Sequence, residues 1–313
     1  MLRLVWKRLL QLIPTMLIVV SITFVLTRII PGDPVSVLAG PEANPQLIAE
    51  LQAKLGLDKS IPEQFLMYVK DICRGDFGTS LNYNEPVFGL IMSRIPKTLM
   101  VTFTGLVIAL VFGVILGTAA ALRQNSVIDH ICTVFSLLGS SLPVFWIAIM
   151  SIFLFSVRLG WLPVMGMGSM ENGIGDVVAH LLLPCLCLAL SPMATFTRTT
   201  RSSMLDTINN DYIRALRARG LREKRIIWKH AFKNALPPII SILGVQLGIA
   251  FSGAILTENI FSWPGMGTLI STAINTRDYA LVQGAILTLA VVNVTISLLM
   301  DILYMLIHPK VKI

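Results

Sequence analysis

The stretch Thr200 to Pro238, TRSSMLDTINNDYIRALRARGLREKRIIWKHAFKNALPP, decides how the rest of the chain is read. It lies between two runs too apolar for water, yet residues 198–233 hold ten of the chain's 25 Lys and Arg. Two short helices broken at Gly220 are expected. Asn209 or Asn210 can cap the first by accepting a bond from its open N–H groups. Gly220 can end it, because glycine takes the left-handed turn at no steric cost. A second helix is expected over Leu221 to Asn234, with Pro237-Pro238 marking the next boundary. The pair carries Tyr212, Ala215, Leu216, Ile226, Ile227 and Phe232, apolar groups suited to docking against a protein. Its charge alone would also suit a lipid surface.

Outward from that stretch, composition sets the class. The 313 residues are 55% hydrophobic and 13% charged, with a mean hydropathy of +0.76. That excludes an ordinary soluble domain. The net charge of +8 sits beside apolar runs, where membrane topology accounts for it better than nucleic acid does, so no nucleic-acid partner is expected. Cys73, Cys132, Cys185 and Cys187 lack metal-site spacing, and three of them lie in apolar stretches as small hydrophobes. Neither a metal nor a cofactor is expected.

Six apolar runs reach the roughly 20 residues that a helix needs to cross a bilayer. They are Leu9–Ile30, Thr98–Leu122, His130–Val157 (interrupted by Pro143), Val177–Phe196 (with Pro184 and Pro192), Pro237–Leu256 and Ala280–Ile307. The fold class is therefore all-α, a polytopic membrane protein with six transmembrane helices. Residues 1–30 have the basic start of a signal peptide in Arg3, Lys7 and Arg8. The run is too long for one and lacks a small-x-small cleavage site, so it is expected to be an anchor.

Residues 31–97 are mixed in charge and read as a small helical module outside the membrane. Asn44-Pro45 opens a helix with Ile48, Leu51 and Leu55 on one face and Gly56 as its stop. Ser60 and Glu63 have capping-box spacing ahead of the stripe Phe65, Leu66, Val69, Ile72 and Cys73. A third short helix is expected between Asn84 and Pro96. Residues 98–307 then form a core of five spans with the polar loop 200–236, and 308–313 form a tail.

Basic residues orient the spans. Arg3, Lys7, Arg8, Arg123, the ten in 198–233, Lys310 and Lys312 fall on one side, against only Arg158 and Arg277 in the short loops 158–176 and 258–279. That asymmetry puts both termini and the 200–236 loop in the cytoplasm. Two G-x-x-x-G pairs, Gly113/Gly117 and Gly244/Gly248, allow helices to approach closely, either between subunits or within one bundle.

Absences bear on the energy source. Thr98–Leu122, Ile131–Val157 and Pro237–Thr257 contain no Asp, Glu, Lys, Arg or His with which to bind a coupling ion. His180 and Asp301 lie near span ends and read as interfacial. No G-x-x-x-x-G-K-[ST] occurs, so the chain has no P-loop of its own. No Ser/His/Asp grouping, carboxylate pair or ligand cluster points to an enzyme. A transporter lacking both engines must take its energy from a partner, and the basic helix pair is the feature shaped to receive it.

Several pieces in fixed order carry a resemblance. They are Pro31-Gly32-Asp33-Pro34, Leu55-Gly56-Leu57-Asp58, Gly75-Asp76-Phe77-Gly78-Thr79-Ser80, Thr200-Arg201-Ser202-Ser203-Met204-Leu205 and Asp211-Tyr212-Ile213-Arg214. Gly253-Ala254-Ile255-Leu256-Thr257-Glu258 and Phe261-Ser262-Trp263-Pro264-Gly265 follow. With them the chain resembles, essentially end to end, the permease subunits of ATP-binding-cassette importers for dipeptides, oligopeptides, glutathione and nickel. It is most similar to the first of the two permeases in such systems.

That resemblance implies a bacterial cytoplasmic (inner) membrane protein, not itself an enzyme. It would form half of a pathway for small peptides, with glutathione or a nickel or metal chelate as the alternative cargo. The implied partners are two cytoplasmic ATP-binding-cassette subunits, a second homologous permease, an extracytoplasmic solute-binding protein and membrane lipid. The family's coupling motif, E-A-A-x-x-x-G followed after nine residues by I-x-L-P, falls here on Arg214-Ala215-Leu216 and Gly220, then His230-Ala231-Phe232-Lys233. Ala215 and Gly220 keep the pattern, while the Glu, the second Ala, the Ile and the Pro are replaced. By resemblance the ATPase contacts are Asp211, Tyr212, Arg214, Ala215, Ala218, Gly220, His230 and Asn234. Trp263, Pro264, Arg277 and Asp278 are expected to touch the binding protein, together with 31–97. The rival classes are an ion-coupled secondary carrier or channel and a non-transporting membrane scaffold.

Overall fold

The computed structural model describes residues 2–29, 46, 49, 53 and 58–307. Regular structure among them is helical, apart from one isolated bridge between Thr79 and Pro86. The chain groups into two compact units, Met1–Lys97 with Pro264–Thr295, and Thr98–Trp263 with Ile296–Ile313.

The first unit contains α1 (Leu2–Ile29), α2 (Ile61–Cys73), the opening turns of α3 (Val87–Leu122), α9 (Met266–Asn275) and the first half of α10 (Tyr279–Ile307). Phe24 of α1 meets Phe65 and Tyr68 of α2, with ring centroids 5.2 and 5.8 Å apart. The Ser60–Glu63 spacing acts as expected. The hydroxyl and the backbone N–H of Ser60 donate to the Glu63 carboxylate at 2.9 and 3.1 Å. Those bonds hold the Glu63 carboxyl below the usual carboxylate range.

A core of Val87, Ile91, Met266, Leu269, Leu281 and Ala285 closes this unit. Asp278, fully buried, starts α10 by accepting from Leu281 N–H at 3.1 Å. Its other oxygen takes the Ser80 hydroxyl at 2.5 Å and Asn82 N–H at 3.2 Å.

Two expectations change here. The third short helix does not stand alone, because 87–96 are the first turns of α3, which carries Pro96 inside it. The loop 258–279 contains a ten-residue helix, α9. Of the helix expected from Asn44 to Gly56 only Gln46, Ala49 and Ala53 are described, each helical; the Pro31-Gly32-Asp33-Pro34 motif, Leu55-Gly56-Leu57 and the 308–313 tail lie outside the described residues.

The second unit is built around α6 (Ile174–Ile208). Of its most apolar window 61% is buried, against 33–39% for the other three long spans, so it is the helix that the others cover. Against it lie the rest of α3, α4 (Val127–Ser141), α5 (Val144–Ser151) and α8 (Phe232–Ile260). A π-helical segment, Ile152–Arg158, continues α5. α4 and α5 pass as one span only together and are bent by 102° at their break. The reason is local. Leu142 precedes Pro143, whose ring disfavours the helical conformation there, and Leu142 sits extended at φ −81°, ψ 133°.

The other prolines behave differently. Pro184 and Pro192 lie inside α6 and Pro237-Pro238 inside α8, and none of them ends its helix. Neighbouring helices let a membrane helix absorb the lost hydrogen bond. The expected boundary at Pro237 is corrected accordingly, and the span expected to end at Phe196 runs on to Ile208.

Four described helices are long and apolar enough to cross a membrane, and the broken α4–α5 pair makes a fifth. α1 has 28 residues, about 42 Å at helical rise, with an apolar stretch Ile13–Val25. The protein is thus an all-α polytopic membrane fold.

Small residues set the closest approach in this unit. A Cβ on Gly113 would meet Phe196 Cβ at 2.6 Å, and one on Gly117 would meet Thr197 O at 2.5 Å and Thr200 Cβ at 2.7 Å. The first G-x-x-x-G pair therefore serves packing of α3 on α6 within the chain. Gly244 is looser, its added Cβ lying 3.4 Å from Met300.

Gly117→Ala is accordingly expected to destabilise by about 1–3 kcal/mol, the usual range for overpacking. Gly244→Ala is expected to have a much smaller effect. Thermal unfolding of the detergent-solubilised chain compares the two, and equal melting temperatures would contradict the packing described.

Candidate functional site

The basic stretch folds as α7 (Asp211–Ala218), a turn at Gly220, a short helical turn Glu223–Arg225 and a π-helical segment Ile226–Ala231 that runs into α8. Thr200–Ile208, expected within the loop, are the end of α6. Asn210 occupies the N-cap with extended backbone, φ −69° and ψ 146°, but its side chain makes no capping bond. Its Nδ2 donates back to Asp206 O at 3.2 Å.

Gly220 behaves as expected, at φ +73°. Gly220 N–H donates to Arg217 O at 2.9 Å and Leu221 N–H to Leu216 O at 3.3 Å. Those two bonds form the paired closure of a helix C-terminus around a left-handed residue. A Cβ at Gly220 would meet nothing within 4 Å, so conformation rather than space selects glycine here. Arg217 clasps Glu223 across the turn through Nε–H···Oε1 at 2.7 Å and an Nη2 contact of 3.5 Å.

The inward face joins Ile213, Ile226, Ala231 and Ala235 to Ala121 and Met204, with Leu205, Leu216, Leu221, Ile227 and Phe232 partly buried around them. Four of the six groups expected to dock on a partner, Leu216, Ile226, Ile227 and Phe232, are therefore spent at least partly inside the chain. The helical period explains it, since the positions that make α7 amphipathic are the ones that hold it down. Asp211, Tyr212, Arg214, Ala215, Ala218 and Gly220 remain on the outer face, all exposed. Tyr212 links both sides of the turn: its hydroxyl accepts from Asn234 Nδ2 at 2.8 Å and donates to His230 O at 3.5 Å. The structure thus brings Tyr212, His230 and Asn234 into one cluster. Asp211 and Arg214 make an exposed pair at 3.4 Å, of small energetic consequence.

Two contributors escaped the sequence reading. Arg201, near the end of α6, makes a two-point ion pair with Asp129 at 2.5 and 2.7 Å, while Asn125 N–H donates to the same carboxylate at 3.0 Å. Asp129 is buried. Arg198 adds bonds to Ser136 O at 3.2 Å and Ser140 Oγ at 3.0 Å. The end of α6 that leads into α7 is therefore tied to α4. Ser126-x-x-Asp129 was visible as helix-start spacing, but no local signal names a partner 72 residues away. The second is Trp228, half exposed beside the turn.

The four residues expected to meet a binding protein divide. Trp263 is fully buried among Val101, Leu181 and Cys185, and Asp278 is fully buried under its three donors. Both side chains build the fold and offer no surface, which corrects the expectation for them. Pro264 is half-buried, its carbonyl accepting from Arg94 at 3.2 Å, and Arg277 is exposed. Glu258 was also overlooked. It is fully buried in the last turn of α8 and takes the Thr98 hydroxyl at 2.6 Å. His180 sits at the outset of α6 against Asp176 at 3.1 Å; the side chain of Asp301 lies outside the described residues. Among the described residues no three His, Cys, Asp or Glu side chains gather to hold a metal ion. What the turn and its two arms offer is an exposed, basic surface with a small-residue face.

The family described as the inner membrane component of binding-protein-dependent transport systems matches residues 109–313. The family describing the N-terminal part of such membrane components matches residues 1–102. The dipeptide transport system permease protein DppB of Alkalihalophilus pseudofirmus is 39% identical over 98% of each chain. The di/tripeptide transport system permease protein DppB of Pseudomonas aeruginosa is 39% identical over 100% of this chain and 99% of that one. The glutathione transport system permease protein GsiC of Salmonella choleraesuis is 38% identical over the same shares. Among solved structures, the MetNI methionine ABC transporter in inward-facing conformations is similar with a TM-score of 0.54. The match covers 70% of this chain and 97% of that one at 16% identity, a likeness of fold alone.

Arg201→Met leaves Asp129 charged and buried without its partner, which is expected to cost about 3 kcal/mol or more. Asp129→Asn combined with Arg201→Met leaves no buried charge and is expected to recover most of that loss. Thermal unfolding of the purified chain distinguishes them, and a double variant no more stable than Arg201→Met would contradict the ion-pair account.

Proposed function

The chain belongs to the family of inner membrane components of binding-protein-dependent transport systems, and on that premise we propose that it forms half of the pathway of an ATP-driven importer of small peptides. The observation that carries this reading is the outer face of α7. Ala215 and Ala218 stand clear of the chain, and Tyr212 is held at the surface by Asn234 and His230, beside a left-handed turn that is closed by backbone bonds and clasped by Arg217–Glu223. A surface this fixed passes a push on to the spans; a loose loop would absorb it. The names of the dipeptide and di/tripeptide relatives support peptide cargo, and that of the glutathione permease supports the alternative.

In this reading both termini and the 200–236 segment are cytoplasmic, and 31–97 lie outside with the loop 258–279. Of two ATP-binding-cassette subunits, one grips the α7–Gly220 arms of this chain through Asp211, Tyr212, Arg214, Ala215, Ala218, His230 and Asn234. A second permease supplies the other half of the pathway. A solute-binding protein delivers cargo to the outer face, with Pro264 and Arg277 as the remaining contact candidates. ATP binding favours one disposition of the spans and hydrolysis releases it. The partner can shift that equilibrium only by its preference for one state. The ATP site belongs to the partner, and this chain contributes the gate.

The α6–α4 brace through Arg201 and Asp129 extends the argument. Movement of α7 is delivered to α6 and, through the ion pair, to the broken span α4–α5. A helix bent by 102° at Pro143 is an element whose angle can change without breaking a hydrogen-bond ladder.

Gly220→Pro removes the N–H that bonds Arg217 O and cannot adopt φ +73°. The variant is expected to insert normally and to lose at least tenfold in ATP-dependent dipeptide uptake, measured in proteoliposomes containing both permeases, the ATPases and the binding protein. Uptake unchanged from the parent would overturn the coupling role of the turn.

A further inference from the structure

One face of α6 is polar within its apolar length. Ser191, Thr195, Arg198 and Ser202 follow at intervals of four, three and four, which sets them in line along the helix. All four are open or half-buried, whereas Ala194, Phe196, Thr197 and Thr200 between them are buried. The sequence groups Arg198 with the basic loop, but the fold carries it deeper. Its guanidinium bonds Ser136 O at 3.2 Å and Ser140 Oγ at 3.0 Å, both on α4. Ser140 is the fourteenth residue of α4, about 20 Å along that helix from the polar loop 123–126. A cation so far along a span does not face hydrocarbon, which would leave its N–H groups unmet; it faces water or protein.

Both of those bonds leave from Nη1. Among the described residues Nε and Nη2 of Arg198 meet no acceptor, and the side chain makes no ion pair. Asp129, the acid of α4, does not serve it, because Arg201 takes both its oxygens. Arg201 does so with Nε and Nη2, the edge of a guanidinium that fits a carboxylate at two points. Arg198 keeps that same edge without a partner in the chain.

We propose that this polar face lines the cargo pathway and that Arg198 takes the carboxylate of the passing peptide through Nε and Nη2. The inference rests on the importer reading above and adds to it a contact inside the spans. Small peptides differ in their side chains but share a terminal carboxylate, so one arginine serves that whole class without selecting within it. The hydroxyls of Ser191, Thr195 and Ser202 are neutral, and a single charged grip among them holds cargo weakly enough to let it leave.

The test uses proteoliposomes containing both permeases, the ATPases and the binding protein, with a dipeptide kept saturating. Arg198→Gln is expected to lower uptake roughly tenfold while ATP hydrolysis stimulated by the loaded binding protein stays within about twofold of the parent. Arg198→Lys is expected to recover part of the uptake, since it restores the charge but not the two-point edge. Ser140→Ala removes one tie to α4 and leaves the charge, and is expected to transport like the parent. A loss with Ser140→Ala equal to that with Arg198→Gln would make Arg198 a brace and overturn the inference.

The preference for anions is read separately. With the four native cysteines replaced by Ala, Thr195→Cys is expected to react faster with an anionic water-soluble thiosulfonate than with its cationic counterpart. Adding Arg198→Gln is expected to lower that rate ratio roughly tenfold. No reaction with either reagent, or an unchanged ratio, overturns the inference. So does an Arg198→Gln effect on uptake that vanishes in liposomes without anionic lipid, since the residue then meets headgroups. Loss of copurification of the two permeases in Arg198→Gln overturns it too, since the residue then meets a carboxylate of the second permease. If the parent imports dipeptide and Arg198→Gln does so equally well, the inference falls and the importer reading stands. If the parent imports none, both fall.

Discussion

A left-handed residue between two helices, Gly220 at φ +73°, fixes which faces of the basic stretch look inward and which look out. The turn is closed by the bonds from Gly220 and Leu221 to Arg217 and Leu216, so α7 leaves it at a set angle and lays Ile213 on Met204, Ile226 and Ala231. Once those side chains are committed, Tyr212, Ala215 and Ala218 have nowhere to go but outward. An all-α chain in a bilayer has few places where the backbone can change direction, because unpaired N–H and C=O groups are costly there. This protein makes one such change outside the apolar runs, at a residue whose conformation alone allows it.

Beyond the turn, charge and packing tie the neighbouring helices together. Arg201 joins α6 to α4 by a two-point ion pair on a buried carboxylate. Close contact at Gly113 and Gly117 joins α6 to α3. Both are all-or-nothing contacts, since a buried charge is either paired or strongly unfavourable and a backbone approach tolerates little slack. Elements joined in this way shift together. In the proposed reading that is what a subunit driven from one end requires, with no nucleotide site of its own.

Legibility in the sequence followed the range of the interaction. The spans and the break at Gly220 could be read because hydropathy and glycine conformation act over a few residues. The same holds for the Ser60–Glu63 helix start. Among the prolines, Pro143 interrupts its span as expected, whereas Pro237-Pro238, read as a boundary, sit inside a continuous helix, as Pro184 and Pro192 do, because neighbouring packing outweighs the lost bond. Contacts between distant residues left no trace. Nothing local pairs Asp129 with Arg201, buries Trp263 beside Cys185, or sets Asp278 under Ser80 and Asn82. At the candidate site the break at Gly220 was legible, but which residues around it face outward depends on a core that only the fold assembles.

The most direct test of the account is a photo-reactive residue at position 215, on the exposed face of α7, illuminated in native membranes that contain the whole system. The account predicts a covalent adduct with the ATP-binding-cassette subunit, whose yield changes when ATP is added. Adducts with lipid or the external binding protein alone, or labelling of that position by a membrane-impermeant reagent from outside, would contradict it.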